Sequence, residues 1–118
     1  MIKQVIIIRK DLKMRRGKEI SQGSHSAMAF LLENEGKSFD AETKLWLQEG
    51  QTKITLQVNS EEELEELYKK AKKMELRSHL ITDAGRTEFN GVPTKTCLAI
   101  GPNRASDIDE ITGNLKLY

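Results

Sequence analysis

Apolar side chains divide the chain into strand-like and helix-like segments. Apolar, mostly β-branched residues occupy consecutive positions inside the segment 3–9. This pattern is typical of a strand buried on both faces, at the centre of a sheet covered by helices. Further along, Ile54, Leu56 and Val58 alternate with polar residues. The alternation predicts a second strand with one buried face.

The apolar residues between these two strands, and those after the second strand, recur at helical spacing. A stripe of small and apolar residues predicts a helix that ends near Gly36, with the stripe facing the core. The stripe consists of Ile20, Ser24, Ala27, Met28, Leu31 and Leu32. A shorter helix is expected from Asp40, its N-cap, to Gly50. Ser60 and Glu63 form a capping box, which predicts the start of another helix.

The last third of the chain predicts two short strands and a final helix. The strands cover residues 78–81 and 96–100, the polar loop 82–93 joins them, and Gly101-Pro102 ends the second strand. The final helix covers about 106–112, with Ser106 or Asp107 as its cap. The order βααβαββα predicts one α/β domain over residues 1–118. Its architecture is a three-layer sandwich with a four-stranded mixed sheet flanked by helices.

Composition narrows the class of protein. The chain has 118 residues, of which 37% are hydrophobic and 31% charged, as in a soluble globular domain. Its longest apolar run, residues 5–8, is too short to cross a bilayer, and no secretory signal precedes it. The single cysteine, Cys97, excludes an intrachain disulfide and a cysteine-built metal site. A cytoplasmic protein that does not bind membranes is therefore expected.

The net charge of +1 conceals an uneven distribution. Seven lysines and arginines lie in the first eighteen residues, opposed only by Asp11. Charge alone fits a polyanionic partner and a solvated, salt-bridged surface equally well. However, the basic loop leads into the first turn of a helix, where the helix dipole favours acids. Helix stability does not explain that placement, whereas phosphate binding does.

Three other motifs are set aside. Gly36-Lys37-Ser38 lacks the first glycine of a P-loop and follows a helix instead of a strand. Cys97 lies in an apolar strand and is interpreted as a buried hydrophobe, not a nucleophile. His25 and His79 have no accompanying carboxylate pattern, so no metal site is expected.

Two segments remain as candidate site elements. Lys18 and Gln22 are four residues apart and share a helix face, away from the apolar stripe. Asp83 lies in a loop that follows a strand, where α/β proteins place ligand-contacting loops. Taken alone, Asp83 fits a turn former and Arg86 a solvated side chain.

Together, these segments belong to a series of motifs that resembles the type-2 peptidyl-tRNA hydrolases, the archaeal and eukaryotic kind. The resemblance runs from about Lys3 to the last residue. In order, the motifs are Asp11-Leu-Lys-Met14, Gly17-Lys18, Ser21-Gln22, Ser24-His25, Trp46, Gly50-Gln51, Asp83-Ala-Gly-Arg-Thr87, Ile100-Gly-Pro102 and Ile111-Thr-Gly-Asn-Leu-Lys-Leu117.

The resemblance implies a homodimeric enzyme that hydrolyses the ester between a peptide and the tRNA 3′ ribose, without metal or organic cofactor. The family's functional positions fall on Lys13, Lys18, Gln22, Asp83 and Thr96. Its site neighbours fall on Ser24, Arg86 and Thr87. We interpret Lys18, Gln22, Asp83 and Thr96 as catalytic. Lys13, Arg15 and Arg16 are expected to grip phosphates of the tRNA without reading bases.

The sequence departs from the family in three informative places. Gly23 replaces a cysteine that many members carry, so a thiol is not needed there. Glu88 replaces a glutamine, and the loop from Phe89 to Thr94 is longer than usual.

Direct attack by water on the ester is expected, because an ester needs no strong nucleophile. Lys18 would stabilise the carbonyl oxygen as negative charge develops. Asp83 would either hold Lys18 or orient the water as a general base. Two alternatives stay open: a non-catalytic tRNA-binding module of the same fold, and a hydrolase of misacylated or D-aminoacyl-tRNA.

Overall fold

In a computed structural model, which describes residues 1–86 and 88–118, the chain forms four strands and four α-helices in the expected order. The strands are β1 (Ile2–Arg9), β2 (Lys53–Val58), β3 (Ser78–Asp83) and β4 (Thr94–Arg104). The helices are α1 (Arg16–Glu33), α2 (Ala41–Gln48), α3 (Glu61–Lys73) and α4 (Ala105–Thr112). Short 3-10 turns cover Lys10–Leu12 and Phe89–Gly91.

The strands form one mixed sheet in the order β2-β1-β4-β3. β1 runs parallel to β2 and antiparallel to β4, and β3 is antiparallel to β4. The central position of β1 agrees with its apolar run, because Val5 and Ile7 are fully buried. Both residues belong to the main core, to which α3 and α4 contribute Leu64 and Ile108. α1 and α2 cover the other face, which confirms the three-layer sandwich.

The predicted helix starts of α2 and α3 are confirmed. The Asp40 carboxylate accepts a hydrogen bond of 2.9 Å from the Thr43 amide at the start of α2. The Ser60 hydroxyl accepts one of 3.1 Å from the Glu63 amide at the start of α3. Each bond satisfies an amide that has no partner within its own helix.

Several element boundaries differ from the sequence-based prediction. α1 ends at Glu33, before Gly36, and β4 starts at Thr94 instead of residue 96. Gly101-Pro102 does not end β4, because the strand continues beside β1 through the pairs Lys3–Asn103 and Ile2–Arg104. The continuation requires glycine at 101, where φ is +107° and a Cβ would lie 2.5 Å from the Lys3 carbonyl oxygen. α4 starts at Ala105, and neither Ser106 nor Asp107 is its cap. β3 extends to Asp83, which pairs with Thr94.

The buried face of α1 is the largest departure. The predicted apolar stripe faces outward: Ile20 is 65% exposed and Met28 60%. The face that packs on the sheet consists of Gln22, Gly23, Ser26 and Phe30. Small residues let the helix lie close to the β-branched sheet surface, where the Gly23 Cα faces Ile6. The polar residues are tolerated there because they are hydrogen-bonded, Ser26 to the Gly23 carbonyl at 2.8 Å.

Candidate active site

Lys18 and Asp83 meet across the gap between α1 and β3. Lys18 lies in the first turn of α1, and Asp83 is the last residue of β3. The Lys18 Nζ donates a hydrogen bond to Asp83 Oδ1 at 3.0 Å. Both side chains are largely enclosed, with 15% and 14% of their surface exposed. The two candidates that are 65 residues apart in the sequence therefore form one ion pair between α1 and the end of β3.

Asp83 receives further hydrogen bonds on both carboxylate oxygens. Gln22 Nε2 donates to Oδ1 at 3.3 Å, and the Gly85 amide donates to Oδ2 at 2.9 Å. The hydrogen bond from Lys18 is the main cause that lowers the pKa of Asp83; burial opposes it, while Gly85 and Gln22 act in the same direction as Lys18. Asp83 is therefore an anion at neutral pH and a poor proton acceptor.

Glycine at position 85 is required by the turn that aims this amide. Gly85 has a φ of +80°, and a Cβ there would lie 2.4 Å from the Val92 carbonyl oxygen. The loop between β3 and β4 thus folds back on itself directly behind the Asp83 carboxylate.

Thr96 and Cys97 of β4 donate hydrogen bonds to Gln22 from the protein interior. The Thr96 hydroxyl donates to Gln22 Oε1 at 2.6 Å, and the Cys97 thiol donates to the Gln22 carbonyl at 3.2 Å. Thr96 and Cys97 are fully buried. Thr96 therefore orients the Gln22 amide toward Asp83 from inside the protein. Burial raises the pKa of the Cys97 thiol, in agreement with its prediction as a core residue.

The loop after β3 adds two contacts that sequence reasoning missed. The Phe89 ring lies over Lys18, with its centroid 5.8 Å from Nζ. Glu88 pairs with Arg15, just before α1, at 2.8 Å. Phe89 is the one aromatic residue in the segment 82–93, and Glu88 departs from the family's glutamine. These signals were available, but the partners of both residues lie far away in the sequence.

The other predicted tRNA-binding residues lie at different places around the start of α1. Lys13 and Arg86 are exposed, and in sequence they lie five residues before Lys18 and three residues after Asp83. Arg16 and Ser24 lie on the opposite flank of α1, where they line a groove of about 500 Å³ between α1 and β2. The structure does not bring Ser24 to the pair. The prediction for Thr87 falls outside the described residues.

The groove has an apolar floor and an exposed apolar rim. Ile6 and Ile8 of β1 form part of the floor, and Ile20, Met28 and Tyr118 belong to the wall. The Tyr118 hydroxyl contacts Glu19 of α1, and this hydrogen bond is the main cause that raises the pKa of Tyr118.

The chemistry available at the Lys18–Asp83 pair is electrostatic. A cation, a carboxylate and a side-chain amide converge there, and the buried Cys97 thiol points into the protein, toward the Gln22 carbonyl. Such a group can stabilise a developing oxyanion and orient a water molecule.

Among residues 1–86 and 88–118, no group of three or more His, Cys, Asp or Glu side chains is placed to hold a metal ion. Within the same residues, no helix is long and apolar enough to cross a membrane.

Comparison with solved structures identifies a similar fold. A protein of unknown function from Agrobacterium tumefaciens strain C58 matches with a TM-score of 0.62 and 13% sequence identity. The match covers 98% of this chain and 96% of that protein. At this identity the likeness concerns the fold alone.

Comparison with protein families and with curated sequences is more specific. The model of the family described as peptidyl-tRNA hydrolase PTH2 matches residues 2–118. Peptidyl-tRNA hydrolase of Methanopyrus kandleri is 45% identical over 99% of this chain and 98% of its own length. That of Methanocaldococcus jannaschii is 43% identical over 98% and 99%. Since both comparisons span nearly the whole chain, the chain belongs to the peptidyl-tRNA hydrolase PTH2 family.

Proposed function

We propose that the Lys18–Asp83 pair is the centre at which this chain hydrolyses the ester between a peptide, or an N-blocked amino acid, and the 3′ ribose of tRNA. By its family the chain is a hydrolase that acts on this ester of peptidyl-tRNA. The main evidence for the position of the site is the ion pair between Lys18 and Asp83, whose charged atoms are 3.0 Å apart and whose side chains are largely enclosed. An enclosed charge pair with a perturbed carboxyl pKa is typical of a site that works electrostatically.

Lys18 stabilises the oxyanion in this mechanism. The oxygen of a water molecule bonds to the ester carbonyl carbon, and the carbonyl oxygen gains negative charge. The bond between that carbon and the ribose oxygen then breaks, and one proton of the attacking water ends on the ribose oxygen, which leaves as the 3′ hydroxyl. A fixed ammonium near the carbonyl oxygen favours the charged transition state over the neutral ester. Asp83 keeps the ammonium in place, since its Oδ1 accepts the Lys18 hydrogen bond.

The low pKa of Asp83 favours an orienting role over that of general base. A general base works best when its pKa is near the operating pH. The hydrogen bond from Lys18 moves the pKa of Asp83 the other way, against the opposing effect of burial. Asp83 therefore orients Lys18 and the attacking water by accepting hydrogen bonds. Gln22, which Thr96 holds, fixes the second side of the carboxylate.

The basic residues before and in the first turn of α1 form the tRNA-binding surface. Lys13, Arg15 and Arg16 are exposed, and Arg86 lies in the loop behind Asp83. These side chains contact phosphates, which position the tRNA without reading its sequence. Arg15 has a second role, because it also pairs with Glu88.

We also infer that the chain forms a homodimer through the outward apolar face of α1, from Ile20 onward, which leaves Arg16 in the first turn to the tRNA-binding surface. Five large apolar side chains are at least 38% exposed there: Ile20, Met28, Leu31, Leu47 and Tyr118. All five line the groove or the smaller cavity next to it, so they form one continuous surface, called here the α1–β2 face. Continuous apolar surface on a small protein marks an interface. A second copy suits an apolar helix, because two such helices can pack on each other around a two-fold axis.

A cytoplasmic location completes the proposal. Peptidyl-tRNA arises during translation in that compartment, and the single cysteine of the chain is buried as a free thiol.

Hydrolysis of N-acetyl-aminoacyl-tRNA, compared with unblocked L- and D-aminoacyl-tRNA, tests the function. We expect rapid release of the N-acetyl amino acid and slow release of both unblocked ones. Faster hydrolysis of the D-aminoacyl ester would make the chain a proofreading hydrolase instead. Tight tRNA binding without turnover of any substrate would leave a non-catalytic tRNA-binding module.

A further inference from the structure

The ring of Phe89 faces the Lys18 ammonium from the loop between β3 and β4. The ring centroid lies 5.8 Å from Nζ, within the range of about 6 Å at which an aromatic face attracts a cation. Lys18 belongs to α1, and Phe89 to the loop between β3 and β4. The contact therefore joins the two elements that the proposed site is built from.

Phe89 is fixed in this position by its packing. It is half-buried against a small apolar cluster beneath the site, formed by Ile8, Met14 and Cys97. One surface of its side chain thus contacts the protein interior, while the ring face is left for the ammonium. The Lys18 side chain as a whole is 15% exposed, so most of it is shielded from water.

The backbone of Phe89 is strained. Its φ is +61°, a left-handed conformation that bulky side chains rarely adopt. Such a residue persists where its surroundings fix it, and strained residues cluster at functional sites. The fixing contacts are the 2.9 Å hydrogen bonds from Val92 to the Phe89 carbonyl and from Gly91 to the Gly85 carbonyl. The Arg15–Glu88 pair ties the neighbouring residue to the start of α1.

We propose that Phe89 is a positioning residue that holds the Lys18 ammonium against Asp83 and keeps water away from it. The role rests on the proposed function, in which Lys18 stabilises the oxyanion. With the ring removed, Lys18 would keep its bond to Asp83 but move more freely and be better hydrated. A more mobile and better hydrated ammonium stabilises an oxyanion less, because the surrounding water screens its charge and must reorient as the oxyanion forms.

The competing explanation is that Phe89 merely fills the apolar cluster. The two roles can be separated experimentally, because one depends on the size of the ring and the other on its electron density. Packing depends on the volume of the side chain, whereas attraction of a cation depends on the negative charge of the ring face. Fluorine atoms withdraw electrons from that face and change the volume little.

The experiment replaces Phe89 alone by 4-fluoro-, 3,5-difluoro- and 3,4,5-trifluorophenylalanine through site-specific incorporation. We expect kcat for N-acetyl-aminoacyl-tRNA to fall stepwise along the series at constant KM and constant Tm. Phe89→Leu should lower kcat by about 10-fold, the size of a partly desolvated cation–π contact. Phe89→Trp, which keeps an aromatic face, should have a kcat close to that of the wild type. Leu12→Ala, which perturbs the same apolar cluster, is the packing control and should lower Tm with little change in kcat.

A second measurement is independent of activity. In the wild type, ring currents should shift the Lys18 Hε proton signals upfield, and Phe89→Leu should remove the shift. An active wild type with equal kcat along the fluorine series would overturn the role of Phe89 and leave the proposed function intact. An inactive wild type would overturn the proposed function, and the NMR shift would then decide alone. Unshifted Lys18 signals in the wild type would overturn the contact itself.

Discussion

Asp83 connects the groups of the proposed site, because its two carboxylate oxygens receive hydrogen bonds from α1 and from the loop after β3. Lys18 and Gln22 donate to Oδ1, and the Gly85 amide donates to Oδ2. Thr96 holds Gln22 from the core. A change at any one of these residues therefore alters the geometry of the others.

The first prediction concerns the joint action of Lys18 and Asp83. Lys18→Met and Asp83→Asn should each lower kcat by roughly 10²–10³-fold, the effect of losing an oxyanion donor or its support. Since the two side chains act as one unit, the double mutant should be little worse than either single mutant. Single-turnover hydrolysis at saturating enzyme, with tRNA binding measured in parallel, checks this. Fully additive losses would assign the two residues separate roles.

The second prediction concerns the ionisation of Asp83. Its folded pKa is lowered from the ordinary value of 3.8, mainly by the hydrogen bond from Lys18. Ionised Asp83 therefore contributes stability above pH 3.8, and the contribution is lost as the pH falls through the lower folded pKa. Lys18→Met should raise the pKa of Asp83, as observed by NMR titration of the carboxyl carbon.

Asp40 is the internal control for that titration. Burial opposes its ionisation, but hydrogen bonds from Thr43 and Arg77 outweigh burial and lower its pKa. Since Asp40 lies at the start of α2, its titration should be the same in the wild type and in Lys18→Met. An Asp83 titration that does not respond to Lys18→Met would contradict the hydrogen-bond assignment.

At the level of elements, α1 has two different flanks. One flank carries Lys18 and Gln22 toward β3 and β4, and the other, with Arg16 and Ser24, borders the groove beside β2. The first turn, with the loop before it, concentrates positive charge. Anion binding at this end is favoured by the unpaired amides of a helix start as well as by the basic side chains.

The third prediction concerns salt. Affinity for tRNA should fall steeply with ionic strength, since each phosphate that a basic side chain neutralises releases counterions. Lys13→Ala with Arg16→Ala should lower the slope of log K against log salt by about 2, which is about 1 for each basic side chain removed. KM should rise more than kcat falls. Fluorescence-anisotropy titrations of tRNA across salt concentrations measure the slope.

Lys72→Ala with Lys73→Ala is the matched control, because it removes the same charge from α3 on the other side of the sheet. Its slope should equal that of the wild type. If the control flattened the slope and the change at residues 13 and 16 did not, the tRNA-binding surface would lie on α3. Arg15→Ala should change the slope less than Arg16→Ala, because Glu88 already neutralises Arg15.

At the level of the whole molecule, the two faces of the sheet differ in how they are covered. α3 and α4 bury their apolar residues against the main core. α1 turns Gln22, Gly23, Ser26 and Phe30 to the sheet and leaves its other large apolar residues, such as Ile20 and Met28, outside. An exposed apolar surface of this kind marks an interaction site, which is the basis of the proposed homodimer.

The fourth prediction tests that association. The wild type should have twice the mass of one chain in light scattering coupled to size-exclusion chromatography. Met28→Glu places a charge in the middle of the α1–β2 face and should give a folded monomer. Met74→Glu makes the same change in an exposed methionine after α3 and should leave the dimer intact. A wild type that is monomeric at every concentration would contradict the proposed homodimer.

The sequence by itself determined the order of the elements, the central place of β1 and the caps of α2 and α3. These features depend on local patterns: a run buried on both faces, and side chains that bond an amide three residues away. The family motifs also indicated Lys18, Gln22, Asp83 and Thr96. For that set, the sequence supplied the residue types and the structure supplied the contacts between them.

Tertiary structure alone decided which face of α1 is buried, where β4 ends and which residues surround Lys18. Hydrophobic periodicity predicts which face of a helix is buried only when that face packs on another element of the same chain. The apolar stripe of α1 does not follow this rule, because it faces outward. Gly101-Pro102 continues β4 because β1 lies beside it. Phe89 and Glu88 reach α1 only through the fold of a loop. Contacts between residues far apart in sequence depend on the path of the whole backbone, and no local pattern encodes that path.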